Sequence, residues 1–470
     1  MKDNILILIN QAPNYAFTYK MIGDTLEKKG INVYYAIDSY MTYLYFEKVL
    51  KTIPKDRLFI FSSFFKVHYK DSIEDVPVKY NSSFNLWQMF YSDFDRFTVY
   101  GLHKYKSKNY FKKLIANLLA FYEDIFSKYH ISHVIYENVS NTFAYAGYVV
   151  ACKRSVSYLG ICATALPGRF AIQHTPYFDK IKESFNQTEK TLEANIWIQS
   201  YLEKFTNTEP DYMKANREEL KESIISRYLN FPKIIQFYTL LRYLVQYPKD
   251  NFYNFQYPVF SINIAYIKRA LFRKLRLPVI NRLYEALDNG EKYFLYPIHF
   301  HPEASTSIFA PSYNDEYHNI EQIAFNIPFG TVLYVKEHPC AVGFSPISFY
   351  KKVKRIPNVK LISHNHNAKE LARNSEGVIT VTSTVGFEAL ILGKPVFLLG
   401  EAFYSEHPNC RKVSFSKLFD AIQNNKVLEN NPNIFLSSFI ENTYDGSIEY
   451  LKKPSKREVS KIVEAILNEL

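Results

Sequence analysis

Cysteine is scarce in this chain. Only Cys152, Cys162, Cys340 and Cys410 occur among 470 residues, and no two of them form a C-x-x-C pair. This spacing argues against a disulfide framework and against a zinc site. Long apolar runs are also missing: no stretch approaches the 18 residues of a membrane-spanning helix, and Ile5–Ile9 is too short for a signal-peptide core. We therefore expect a reduced, cytoplasmic protein whose membrane contact is limited to its surface.

Several nucleotide-binding and hydrolase motifs are absent as well. The sequence has no G-x-S-x-G, no P-loop and no G-x-G-x-x-G after its first strand, which disfavours hydrolases, NTPases and dinucleotide dehydrogenases. It has no zinc-finger spacing and no concentrated basic run, so nucleic acid is not an expected partner. The net charge of +11 instead suits nucleotide phosphates, acidic glycans or the headgroups of an inner membrane.

What the sequence does have is an alternation of strand and helix patterns. Ile5–Ile9 reads as a buried strand, a helix follows as far as Gly30, and Ile31–Ile37 reads as the next strand, which together predict a βαβ unit. Val99–Tyr100 is predicted as a further short strand. From 293 to 399, strands and helices alternate with short loops, which favours a parallel, doubly wound sheet.

The length and the change of pattern along the chain predict four segments. Residues 1–179 form a first α/β domain, and 180–285 form a helical insertion or connector. Residues 286–440 form a second α/β domain. Residues 441–470 form a C-terminal helical segment that packs back on the first domain.

The segment Lys336-Glu337-His338-Pro339 stands at the end of a predicted strand of the second domain. Proline cannot continue a central strand, so these side chains should project at the rim of the sheet, where Lys336 and Glu337 could bind a nucleotide sugar. Histidine there can donate to a phosphate oxygen or pass a proton to a leaving group. The alternative is that His338 is a loop histidine satisfied by the backbone.

A second rim segment runs from Ser383 and Thr384 through Gly386 to Glu388, where a strand ends and a helix begins. Free backbone N–H groups and the helix dipole at such a point attract phosphate. Gly386 permits close approach of the backbone. The alternative is that Ser383 or Thr384 is simply a helix cap.

The segment Pro297–Thr306 follows the first strand of the same domain and contains His299, His301 and Glu303. These residue types resemble metal ligands, but no third cluster with metal-ligand spacing accompanies them, so we expect no metal. We expect His301 and Glu303 to contact nucleotide or substrate. The alternative is a structural loop.

The first domain offers Asn10, Gln11, Asp38, Glu137 and Arg169 at predicted strand ends or loops. A hydroxyl that acts as a nucleophile needs a base, and Asp38 or Glu137 could supply one. Each of the five residues could also be a cap or an ordinary surface residue.

Taken together, these segments resemble the bacterial capsule polysaccharide biosynthesis family, which includes the β-Kdo transferases of capsule export. The resemblance rests on four blocks in a fixed order, at Pro297–Ser305, Val335–Pro339, Pro357–Ile362 and Ser383–Val396. It covers about a quarter of the chain.

The resemblance implies a GT-B fold, in which two Rossmann-like domains face a cleft. The second domain would hold the nucleotide sugar, with His338, Ser383 and Thr384 on the donor phosphate and Glu388 on the ribose. The first domain would hold a glycan or glycolipid acceptor, which gives Asn10, Gln11 and Arg169 acceptor-binding roles. Neither a metal nor another cofactor is implied.

The predicted function is therefore transfer of a sugar from a nucleotide-activated, CMP-linked and Kdo-like donor during capsule synthesis. An inner-membrane surface and capsule assembly proteins are further expected partners. Known Kdo transferases carry a Gln-centred motif where this chain has His299 and Pro302-Glu303, so the donor sugar stays open. The alternatives are a non-hydrolysing sugar-nucleotide epimerase, a CMP-alditol-phosphate polymerase and a catalytically silent scaffold that uses the aromatic-rich segment Phe231–Tyr266.

Overall fold

The chain divides into two compact units. A computed structural model describes residues 3–12, 14–71, 75–100, 106–178, 180–181, 192–211, 213, 231–255, 259–428, 431–448 and 454–470. The first unit comprises Met1–Pro176, Pro210–Ala265 and Tyr444–Leu470, and the second comprises Tyr177–Glu209 and Tyr266–Thr443. The described residues of 180–285 are therefore shared between the two units.

Strands are numbered in chain order. They are β1 (Asn4–Ile9), β2 (Asn32–Ile37), β3 (Leu58–Ile60), β4 (His133–Glu137), β5 (Ser157–Ala163), β6 (Arg169–Gln173), β7 (Tyr293–Pro297), β8 (Val332–Lys336), β9 (Val359–Ile362), β10 (Gly377–Thr380), β11 (Val396–Leu398), β12 (Cys410–Lys412) and β13 (Tyr444–Asp445).

The α-helices are numbered in the same way. They are α1 (Tyr15–Lys28), α2 (Tyr40–Tyr45), α3 (Glu47–Leu50), α4 (Phe61–His68), α5 (Asp75–Asn81), α6 (Leu86–Tyr100), α7 (Lys108–Tyr129), α8 (Thr142–Lys153), α9 (Leu192–Glu203), α10 (Phe231–Gln246), α11 (Val259–Asn281), α12 (Ala304–Ser307), α13 (Glu316–Asn326), α14 (Ile347–Val353), α15 (Ala368–Asn374), α16 (Thr384–Ile391), α17 (Phe415–Gln423), α18 (Pro432–Glu441) and α19 (Lys456–Glu469).

The first unit contains a sheet of order β13-β6-β5-β4-β1-β2-β3. The strands from β5 to β3 pair in parallel, β6 pairs antiparallel with β5, and β13 pairs antiparallel with β6. The central strand β1 is apolar on both faces because helices cover both, and Ile5–Ile9 is completely buried. The predicted strand at Val99–Tyr100 is wrong, because these residues end α6. Leu86, Met89 and Phe90 are buried at helical spacing, and that period decides the local structure.

The second unit contains a wholly parallel sheet of order β12-β11-β10-β7-β8-β9. The chain winds outward from β7 to β9 and then returns to place β10 on the other side of β7. In doubly wound sheets, ligands bind beyond the carboxyl ends of the strands at such a point, where the strand order reverses. The predicted α/β class with two doubly wound, Rossmann-like sheets is confirmed.

The last helix belongs to the first unit. Helix α19 packs on α1 and buries Val459, Ile462, Val463 and Ile466. It starts with a capping box, in which Ser455 and Glu458 exchange side-chain and backbone hydrogen bonds. Among the described residues, no helix is both long enough and apolar enough to cross a bilayer.

Candidate functional site

The rim segments predicted from the sequence meet at one edge of the second unit's sheet. The loop that follows β7 and the turn that follows β10 are joined there, because the backbone N–H of Thr382 donates to Nε2 of His299 over 3.2 Å. The end of β8 is close as well, since the backbone N–H of Ile298 donates to the Lys336 carbonyl over 3.0 Å and the rings of Phe300 and His338 lie 5.9 Å apart. All three segments therefore lie at the same edge of the sheet.

Ser383 is the N-cap of α16. Its Oγ accepts from the backbone N–H of Val385 over 3.2 Å, and its carbonyl accepts from the Tyr404 hydroxyl over 2.6 Å. The capping alternative for Ser383 is thus what the structure shows. It does not conflict with phosphate binding, because a hydroxyl that accepts a hydrogen bond still has its own proton to donate. Thr384 is the first residue of the helix and lies beside that hydroxyl.

Gly386 lets this turn lie against Tyr404. A Cβ atom added at Gly386 would lie 2.5 Å from the Tyr404 hydroxyl and 2.8 Å from Cζ of its ring. We expect Gly386→Ala to lower the free energy of unfolding by about 1–3 kcal/mol, because the ring that holds Ser383 must move. Chemical denaturation measures this loss. Gly290→Ala, whose Cβ would have no neighbour nearer than 3.7 Å, is the matched control and should change little.

Lys336 is a buried cation at the end of β8. Its residue is 6% exposed, and Nζ donates to the Glu337 carbonyl over 3.2 Å. Burial raises the pKa of the neighbouring Glu337 carboxyl to about 7, against hydrogen bonding from Tyr350 and the charge of Lys336. The rim therefore combines a fixed positive charge with a carboxyl group that ionises near neutral pH.

His338 is neutral in this protein at pH 7. Burial and the positive charge of Lys336 lower its pKa to about 3. Its Nδ1 accepts from the backbone N–H of Cys340 over 3.1 Å, so the ring proton is on Nε2. His338 is thus prepared to donate a hydrogen bond from Nε2, and an anion bound beside it would raise its pKa.

Glu388 lies one turn into α16 beside Lys369. The Lys369 Nζ is 3.6 Å from a carboxylate oxygen of Glu388 and also donates to the carbonyls of Phe205 and Thr208. Burial raises the pKa of Glu388 to about 7 even with this cation beside it. The carboxyl group can therefore exchange hydrogen bonds with hydroxyl groups of a ligand in either protonation state.

The raised pKa of Glu388 gives a pH dependence of stability. The folded chain binds the proton of the Glu388 carboxyl group more tightly than the unfolded chain does. The stabilisation from this proton is therefore present below about pH 4.5 and is lost as pH rises towards 7. We expect the stability of wild type relative to Glu388→Gln to fall across that window, by at most about 1.4 kcal/mol per pH unit. Denaturation at several pH values measures it. The exposed Glu376→Gln is the control and should give a flat difference.

A buried carboxylate that the sequence did not reveal fixes this arrangement. Glu316, at the start of α13, accepts from the backbone N–H and Nδ1 of His299 over 3.1 and 3.2 Å and from the Tyr296 hydroxyl over 2.7 Å. Nε2 of His301 lies 3.3 Å from the same carboxylate. Burial alone would raise the pKa of Glu316, but the hydrogen bonds from the two histidines outweigh it and hold the pKa well below its usual range.

The structure thus gives His299 and His301 a common role as partners of Glu316, which Glu303 does not share. His301 is held on Glu316, and its carbonyl accepts from Arg269 over 2.8 Å. Glu303 precedes α12, where its carbonyl accepts from the Thr306 and Ser307 hydroxyls. Its residue is exposed. Among the described residues, no group of three or more His, Cys, Asp or Glu side chains is placed to hold a metal ion.

Two further side chains at this edge were not predicted from the sequence. Within the part of the chain that the structure describes, the Tyr284 hydroxyl, Nδ1 of His364 after β9 and Oε2 of Glu337 are buried and have no hydrogen-bond partner. The charge of Glu337 acts on Tyr284, whose ring lies 6.3 Å from that of His364. A polar ligand would satisfy such groups. Only the position of His364 beyond the end of β9 could have indicated one of them.

The candidates of the first unit also lie at the carboxyl edge of its parallel strands. Oδ1 of Asn10 accepts from the backbone N–H of Ala12 over 2.9 Å, and Gln11 follows it. Arg169 begins the antiparallel strand β6 at this edge. The three residues predicted to bind the acceptor therefore share one edge of the sheet, with β4 and β5 between the strands of Asn10 and Arg169.

The two candidate bases differ in their surroundings. Asp38 is 1% exposed, burial raises its pKa to about 7, and its Oδ1 accepts from the Thr42 hydroxyl over 2.6 Å. Glu137 ends β4, is only partly buried, and accepts from the Tyr15 and Ser140 hydroxyls. Solvent and small molecules can reach Glu137 more readily than Asp38.

Comparison with known proteins supports the family resemblance. Residues 201–408 match the family described as capsule polysaccharide biosynthesis protein. The chain is similar to the capsule polysaccharide export protein KpsS of Escherichia coli, with 28% identity over 148 residues, and to protein FixF of Sinorhizobium fredii, with 29% over 131 residues. These matches cover 30% and 26% of this chain but only 37% and 30% of the relatives. The resemblance to the capsule polysaccharide biosynthesis family is therefore confirmed.

Among solved structures, the chain is similar to the β-Kdo 2,7 transferase KpsC of Thermosulfurimonas dismutans. The identity is 13%, the coverage is 74% of this chain and 89% of that chain, and the TM-score is 0.35.

Proposed function

We propose that this protein is a glycosyltransferase that moves a sugar from a CMP-linked, Kdo-like donor to a glycan or glycolipid acceptor in capsule synthesis. The proposal rests on one observation. In the second unit, the buried cation Lys336 and the neutral donor His338 lie at the end of β8, the N-terminus of α16 follows β10, and the charge of Lys336 acts on Glu388 of α16. A buried positive charge beside the free N–H groups of a helix N-terminus suits a phosphate better than a neutral ligand.

In this proposal the donor phosphate lies at the start of α16. Nε2–H of His338 and the Ser383 hydroxyl donate to its oxygens, and Glu388 contacts the ribose hydroxyls. When the bond between the anomeric carbon and the phosphate oxygen breaks, the nucleotide leaves with the electron pair and its charge grows. Lys336 and the helix dipole, fixed before the reaction, stabilise that charge.

We propose Glu137 rather than Asp38 as the base that takes the proton of the acceptor hydroxyl. Glu137 is accessible and already accepts two hydroxyl hydrogen bonds, which is the interaction a general base makes with its substrate. Asp38 is buried and holds its proton up to about pH 7. We place the reaction in the cytoplasm, without a metal or other cofactor.

A transfer assay with CMP-Kdo and a lipid-linked or oligosaccharide acceptor tests the proposal. We expect a lengthened acceptor with release of CMP, and a loss of about 10²- to 10⁴-fold in kcat/KM for His338→Ala. An epimerase would change the donor without using acceptor, and a polymerase would release CMP from a CMP-alditol donor. No transfer with any nucleotide sugar, or unchanged transfer by His338→Ala and Ser383→Ala, would refute it.

A further inference from the structure

Helix α11 shows an apolar stripe to solvent. Ile264, Ile267, Leu271 and Leu275 are 42%, 59%, 54% and 64% exposed. Their spacing of three or four residues places them on one face of the helix. Exposed large aliphatic side chains in such a row mark a surface that contacts something apolar.

The opposite face of α11 is fastened to the second unit by arginines. Arg269 donates to the His301 carbonyl over 2.8 Å, and Arg276 donates to the Phe344 carbonyl over 2.7 Å. The guanidinium of Arg273 lies over the Phe344 ring at 5.2 Å. The helix is therefore held by its basic back face, and the apolar stripe is its outer surface.

The charge of α11 has one sign. The helix contains Lys268, Arg269, Arg273, Lys274 and Arg276 and no Asp or Glu. At 100° per residue, Lys268 and Lys274 lie roughly 60° to either side of Leu271. Both lysines are exposed, so the apolar stripe has a flexible cation along each side.

We propose that α11 lies flat on an anionic bilayer surface. The aliphatic stripe would enter the boundary between headgroups and acyl chains, and the two lysines would reach lipid phosphates on either side. A second copy of this chain fits less well, because two such helices would bring only cations together. The proposal does not depend on the reaction proposed for the edge of the second unit's sheet.

Sedimentation of the full-length protein with vesicles tests this inference. We expect binding to vesicles that contain phosphatidylglycerol, little binding to pure phosphatidylcholine, and weakening by salt. Lys268→Glu with Lys274→Glu should weaken binding at least about 30-fold. Ile267→Ser, Leu271→Ser and Leu275→Ser together should weaken it on the order of 100-fold.

Matched controls separate this helix from the rest of the surface. Phe325→Ser with Phe329→Ser removes other exposed apolar groups, and Lys351→Glu with Lys417→Glu reverses other exposed cations. Both control variants should bind like wild type, and the melting temperature verifies folding in every case. If the triple serine variant fails to fold, vesicle binding by the variant with both Lys268→Glu and Lys274→Glu still tests the inference.

Three outcomes would overturn the inference. One is that the wild-type protein does not bind vesicles. If the serine variant then dissociates an oligomer or a protein complex, the stripe binds protein and not lipid. Another is binding that the α11 variants leave unchanged. The third is equal binding to both kinds of vesicle with no effect of the lysine pair.

Discussion

Replacement of Lys336 by methionine is expected to lower kcat/KM for sugar transfer by about 10²- to 10³-fold. Methionine retains much of the apolar stem but removes the one buried ammonium group at the end of β8, whose charge acts on both His338 and Glu388. Because a buried charge costs free energy to desolvate, its loss should leave the unliganded protein nearly as stable as wild type. Steady-state kinetics and the melting temperature separate these two effects.

Lys360 offers a matched control on the next strand. Its Nζ forms an ion pair with Glu291 at 2.6 Å, away from the rim residues. We expect Lys360→Met to keep transfer activity and the response of the melting temperature to nucleotide. If Lys336→Met retained full activity, or if Lys360→Met lost as much, the role given to Lys336 in charge stabilisation would be wrong.

Replacement of Glu316 by alanine is expected to lower the free energy of unfolding by about 3–5 kcal/mol. The change leaves the Tyr296 hydroxyl and the two N–H donors of His299 without their buried acceptor. It should also lower transfer, because His299 then no longer holds the Thr382 turn. Chemical denaturation measures the first effect and kcat/KM the second.

The pH dependence distinguishes this role from simple packing. The pKa of Glu316 is depressed, so its contribution is present above about pH 4.5 and is lost as pH falls further. The difference between wild type and Glu316→Ala should therefore shrink in acid. Glu316→Gln, which keeps the shape and one acceptor, should lose less. If the free energy of unfolding lost in Glu316→Ala stayed the same in acid, the stabilising role given to the ionised Glu316 carboxylate would be wrong.

Most of the parallel strands were predictable from the sequence because they are buried on both faces, but β5, β6, β12 and β13 were not predicted. Ile5–Ile9 and Thr331–Lys336 are apolar runs bounded by turn residues, and the helices between strands carry ordinary end signals. The strand prediction at Val99–Tyr100 was wrong because it rested on the high strand propensity of these two residues. The helical spacing of Leu86, Met89 and Phe90 determines the structure there.

The rim residues could be predicted because the ends of their strands could be predicted. Lys336 ends β8, His338 and Ser383 come shortly after β8 and β10, and the structure places all three at one edge. Glu316 was not predictable, because a glutamate in the first turn of a helix usually stabilises the helix dipole in solvent. Only the fold brings it beneath His299 and His301. The pKa of each group likewise depends on burial, which a sequence does not state.

Binding of nucleotides and nucleosides measured by thermal shift tests the central claim most directly, because a ligand of the native state raises its melting temperature. The account predicts that one nucleotide among CMP, UDP, GDP and dTDP, expected to be CMP, stabilises the wild type far more than its nucleoside does. It also predicts that the difference is lost in Ser383→Ala combined with His338→Ala. Equal shifts for nucleotide and nucleoside, or an unchanged difference in the double variant, would contradict a phosphate site at the start of α16.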